Sequence, residues 1–123
     1  LSIASFAQDE QLIKPGRYHG SITENDQSRD YILEFDTDGY AYQLSVSDTT
    51  RYEFDFKKTT SHNQITTLQW MNSDGSWTET QTFMITKLSN SVIQVFHIRY
   101  VVNKGSERQS WFYGNKALFY LEE

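Results

Sequence analysis

The stretch from Ser91 to Tyr120 constrains this chain most. It reads SVIQVFHIRYVVN, then KGS, then ERQSWFYG, then NK, then ALFY. Strand side chains alternate between faces, so these runs read as strands, and polar turns this short can join only antiparallel neighbours. The last third of the chain is therefore expected to be a meander of three strands.

Most upstream segments repeat that grammar. Arg17–Glu24 is a first strand, and the polar run 24–30 (ENDQSRD) a loop. Tyr31–Asp36 and Tyr40–Ser47 flank the turn Asp36-Thr37-Asp38-Gly39. In RYEFDFK, Tyr52, Phe54 and Phe56 alternate with Arg51, Glu53, Asp55 and Lys57, the cleanest period of two in the chain and the mark of one wet and one dry face. Gln64–Met71 and Ser76–Thr86 follow, separated by Asn72-Ser73-Asp74-Gly75. No window shows the i, i+3, i+4, i+7 stripe of an amphipathic helix. The expected fold is all-β: an antiparallel up-and-down meander of eight or nine strands, closed into a small barrel because a twisted sheet of that size must close or split.

Composition agrees and narrows the function. Aromatics make up 15% of 123 residues, a proportion suited to a pleated, half-buried surface. The net charge of −5 is interspersed, with no basic cluster to follow a phosphate backbone, so nucleic acid is not an expected partner. No apolar run approaches the roughly 20 residues that a membrane-spanning helix needs. There is no cysteine, hence no disulfide, thiolate nucleophile or lipid-anchored cysteine.

The segment LSIASFA ahead of QDEQ has the form of the end of a secretory signal, with Ser5-Phe6-Ala7 as a small-x-small cleavage site. Residues 1–14 are accordingly read as a signal remnant and lead-in, 15–123 as a single β-domain, and the location as exported, periplasmic or extracellular. The alternative is that residues 2–7 form a first element of the fold.

Two phrases carry a resemblance. Pro15-Gly16-Arg17-Tyr18 stands at the start of the first strand, and Ile85-Thr86-Lys87-Leu88-Ser89-Asn90-Ser91-Val92-Ile93 precedes a late one. Together with the meander they resemble the lipocalin-like (calycin) barrels of small secreted bacterial proteins. Tyr18 replaces the family's Trp at that place. The Arg that packs on that Trp from the last strand has only Arg99 and Arg108 as near candidates, both upstream of the final strand. The resemblance implies a barrel that holds a small, partly apolar ligand without catalysis.

The residues themselves offer few alternatives. His19, His62 and His97 lack metal-binding spacing, no cofactor motif is present, and Asp36–Gly39 reads as an Asp-Gly hairpin turn rather than a calcium loop. Glu34, Glu53 and Asp55 alternate with apolar residues, which places them on the wet face. No acid–base pair or triad can be picked out, so the enzyme reading has no residue to stand on.

The aromatic surplus is the stronger signal, since pockets for small molecules are lined by such side chains with a few polar groups to orient the ligand. Tyr42, Phe54, Trp70, Trp111 and Tyr113 are the expected lining. His97 and Arg99, on one face of their strand, would meet an anionic or polar end of the ligand if that face turns inward. The opposite face, with Phe96, Ile98 and Tyr100, is equally apolar, so the parity stays open. A filled barrel that binds a protein or a second copy through its wall is the competing expectation.

Overall fold

Short turns with demanding backbone angles set the architecture. In the computed structural model, which describes residues 13–60, 64–105 and 110–123, nine strands run in chain order. They are β1 Gly16–Glu24, β2 Gln27–Phe35, β3 Ala41–Leu44, β4 Arg51–Glu53, β5 Phe56–Thr59, β6 Ile65–Asp74, β7 Trp77–Lys87, β8 Val92–Asn103 and β9 Ser110–Leu121. The expected cleavage site, His62 and Arg108 lie outside the described residues.

Asn25 and Asp26 both adopt positive φ, 51° and 66°, which is how a two-residue turn matches the twist of the β1–β2 hairpin. Residues 27–30, expected in a loop, therefore belong to β2. The Asp36 carboxylate accepts from the amides of Asp38 (3.0 Å) and Tyr40 (2.9 Å), tying the β2–β3 turn as an Asx turn. Gly75, at φ 59°, supplies the positive φ of the turn between β6 and β7.

All nine strands form one antiparallel sheet in the order β4-β3-β2-β1-β9-β8-β7-β6-β5. The sheet curls into a half-barrel, and its hydrogen-bond ladder does not close. The open edges are β4 and β5, both drawn from RYEFDFK, the segment that alternates best. Only Phe54 of its aromatics turns inward, its ring 5.7 Å from Phe83, while Tyr52 and Phe56 are exposed. Side chains span the gap instead of a ladder: Trp70 Nε1 donates to Gln43 Oε1 (2.8 Å) and the Met71 amide to Asp55 (2.8 Å).

A second departure concerns β9, which runs unbroken through the expected turn at Asn115-Lys116, paired with β8 from Ser110 to Tyr120. Gly114 lets the Phe96 ring come close to the strand there: a Cβ at that position would stand 3.3 Å from the ring.

The core fills the concave side. Tyr18, Leu33, Leu68, Phe83, Ile85, Ile93, Val95 and Phe119 are fully buried, each contributing roughly 1.5–3 kcal/mol of apolar transfer. The Phe119 ring lies against the backbone of Gly20, where any Cβ would clash with it. Tyr18, at the position of the resemblance, is buried edge-on to Phe35 and donates its hydroxyl to the Lys14 carbonyl (2.7 Å). Glu34 is on the convex side as expected but is buried, held by Arg17 (2.8 Å) and Arg51 (2.6 Å).

Candidate functional site

Strand registers stack the concave residues of β6 to β9 in rows. Thr66, Ile85, Val95 and Ala117 form one row, and Leu68, Phe83, His97 and Asn115 the next. Above them lie Trp70, Gln81, Arg99 and Tyr113, then Asn72, Glu79, Val101 and Trp111. The lower rows are mostly apolar, with Thr66, His97 and Asn115 as their polar members. Toward the end that carries the β1–β2 and β6–β7 turns, here called the mouth, the rows become polar and aromatic.

Six of the seven residues expected to line a cavity fall on this concave face. Trp70, Arg99 and Tyr113 share one row, with His97 one row below and Trp111 one row above. Phe54 reaches the same region through Phe83. Tyr42 does not join them: it sits on the convex side beneath the Arg51 guanidinium, which lies 5.1 Å from its ring. β8 thus turns its His97–Arg99 face inward, the parity that its evenly apolar faces left undecided.

Arg99 organises the polar rows. Its Nε donates to Glu79 (2.9 Å), its Nη1 to Glu24 (2.7 Å), and its Nη2 leans toward the other Glu79 oxygen (3.5 Å). Burial works against the charge, but these hydrogen bonds outweigh it and hold the guanidinium protonated well beyond its ordinary range. Burial likewise pushes Glu79 upward, while donors from Arg99 and Gln81 prevail and set its carboxyl below the ordinary value.

Gln81 fixes the state of His97. Its amide nitrogen donates to Glu79 (2.6 Å), which turns its oxygen toward His97 Nε2 at 2.8 Å. The imidazole proton therefore sits on Nε2, and Nδ1 carries a lone pair. Burial, with the Arg99 charge behind it and Glu79 opposing, lowers the His97 pKa to about 4, so the ring is neutral near pH 7. It is packed against Phe83 (4.7 Å between centroids) and Tyr31 (5.0 Å).

Two buried acceptors in this cluster have no partner among the described residues, His97 Nδ1 and Glu24 Oε2. Around the mouth Trp77 stands edge-on to Trp111 (5.4 Å), and both remain partly exposed, as does Tyr113. The aromatic rim is therefore open to solvent, whereas the floor is sealed.

Beside the cluster the sheet parts. β1 and β9 pair only at Tyr18–Leu121 and His19–Tyr120, and beyond these a cleft of about 710 Å³ lies between Gly20, Ser21 and Thr23 on one side and Asn115 to Leu118 on the other. Tyr31 lines this cleft as well as touching His97.

Glu24, Tyr31, Glu79 and Gln81 are functional candidates that a reading of motifs passes over. The available signal was parity: Glu79 and Gln81 alternate in step with Trp77 and Phe83, which puts a charge on the dry face. Among the described residues no group of His, Asp or Glu could hold a metal ion, and no helix is long and apolar enough to cross a membrane. Comparison with protein-family models, curated proteins and solved structures returns no match.

Proposed function

We propose that this protein is a non-catalytic carrier of a small, partly apolar molecule, lipocalin-like in kind and exported. The observation that carries the reading is the division of the concave face. A sealed apolar floor supports a mouth where partly exposed Trp77, Trp111 and Tyr113 surround the Glu24–Arg99–Glu79–His97 cluster. Aromatic walls with a few convergent polar groups are what ligand sites use. The body of the ligand would lie on the upper rows, its polar end turned down toward His97 at the top of the packed interior. The lipocalin-like kinship is supported by the sequential meander and by the pairing of the first strand with the last.

Native mass spectrometry of the purified chain, repeated under denaturing conditions, tests the reading. It expects an excess mass of a few hundred daltons, an order set by drug-sized ligands, that is lost on unfolding and absent from Trp111→Ala. A clean chain mass, with no tryptophan fluorescence change on adding small aromatic compounds, would argue against it. Amino-terminal sequencing of the exported form tests the location, with Gln8 as the expected first residue.

A second reading rests on the convex wall of β7 to β9. Tyr100, Phe112, Leu118 and Tyr120 are exposed there, the rings of Tyr100 and Phe112 6.4 Å apart between centroids, and threonines fill every outward position of β7 but that of Met84. Lys116 is the one charged residue facing out from Val92–Val102 and Ser110–Tyr120. With the chain's excess negative charge kept off this wall, a second copy can approach without repulsion, so the wall fits a self-association surface. Light scattering after gel filtration decides it: a dimer that Phe112→Lys splits supports the reading, and a monomer at high concentration removes it.

A further inference from the structure

We propose that the ligand end seated against Glu24 and His97 is a hydrogen-bond donor, a primary ammonium above all, and not a carboxylate or phosphate. The inference rests on the carrier reading and gives its ligand a chemical class opposite to the anion that an Arg–His pair first suggests.

The cluster offers acceptors. Gln81 holds the His97 proton on Nε2, which leaves Nδ1 a bare lone pair, and Glu24 Oε2 is likewise without a donor among the described residues. Both side chains are almost wholly removed from solvent, His97 at 0% and Glu24 at 5% exposure. A buried acceptor without a donor carries its desolvation cost uncompensated, so a group that supplies N–H bonds there is favoured.

Arg99 cannot serve an anion without giving up its partners. Its Nε and Nη1 already face two carboxylates and its Nη2 leans on one of them. With His97 neutral, Glu24, Glu79 and Arg99 together carry one net negative charge, which repels an acid and attracts an ammonium. The rim agrees, because the faces of Trp77 and Trp111 favour a cation over an anion. Tyr31, packed on His97, also lines the cleft between β1 and β9, so that cleft runs beside the cluster.

The test compares three probes with one aromatic body: phenethylamine, 2-phenylethanol and phenylacetate, titrated into the full chain. Tryptophan fluorescence reads the rim, and the ¹⁵N shift of His97 Nδ1 reads the acceptor. The amine is expected to bind about tenfold more tightly than the alcohol, with the acid weakest. The Nδ1 signal should move toward the hydrogen-bonded value, and Glu24→Gln should erase the amine's advantage. An acid that binds as well as the amine, or an amine no better than the alcohol, overturns the donor class while leaving a carrier. Silence of both signals to all three probes overturns the class and the carrier reading together. If Glu24→Gln does not fold, the rank order on the parent chain decides.

Discussion

The floor and the mouth of the concave face share the strands β6 to β9, yet they are stabilised differently. The floor is apolar, sealed and closely packed, with Phe83 touching Phe54, Tyr31 and His97. The mouth holds a charge network in which every group depends on another, and two of its acceptors are left over. A packed floor resists change through its volume; a network resists it through its charge. The first is what keeps a fold, and the second is where a ligand can add something.

This contrast can be broken in order of effect. Phe83→Ala should lose about 4 kcal/mol of stability in urea unfolding at any pH, because it empties a sealed site on three ring contacts. A loss under about 1 kcal/mol would mean that the floor is not close-packed. Arg99→Met should cost about 3 kcal/mol near neutral pH, since it strands two carboxylates that are mostly buried. Joining it to Glu24→Gln and Glu79→Gln should restore most of that loss, a recovery that no floor substitution would show.

Acid sharpens the comparison. The folded chain holds His97 at about 4, against about 6.5 when unfolded, so between those values the unfolded chain binds the extra proton. Stability therefore falls as pH drops, by about 2 kcal/mol from about pH 7 to about pH 4.5, and Glu79, with its lowered carboxyl, adds loss below that. A pH-independent midpoint across this window would contradict the neutral His97. The smallest effect belongs to the open edge: Gln43→Ala removes the acceptor of the Trp70 indole and should cost about 1 kcal/mol while leaving both halves intact.

Much of the sheet was legible because turn chemistry is local. Asp36–Gly39 and the Gly75 turn sit where their residues place them. Alternation, however, reports which face a side chain prefers and not which strand it pairs with. RYEFDFK has perfect alternation and still supplies the two unpaired edges. The run 27–30 looked like a loop because the polar end of β2 buries nothing, and the Asn25-Asp26 turn was the better cue. In β9, Asn115-Lys116 looked like a turn because the strand's pairing with β8 is invisible in the sequence. His97 and Arg99 were found as a pair, but their orientation was not, since the convex wall is apolar too. The carboxylates that engage Arg99 come from two other strands, up to 75 positions away in the chain, and no local pattern records such a meeting.

The strand order also bears on how the chain reaches this state. The middle of the sequence lies at the sheet's edges and its two ends meet at the centre, through two paired positions of β1 and β9. Each half, β1 to β4 and β5 to β9, is a run of adjacent hairpins with only short loops to close. Joining them brings His19 beside Tyr120 and closes nearly the whole chain, at an entropic cost that grows only as the logarithm of its length. The strand order predicts a late docking of two meanders joined at Phe54-Asp55, and a chain cut there should reassemble from its two pieces.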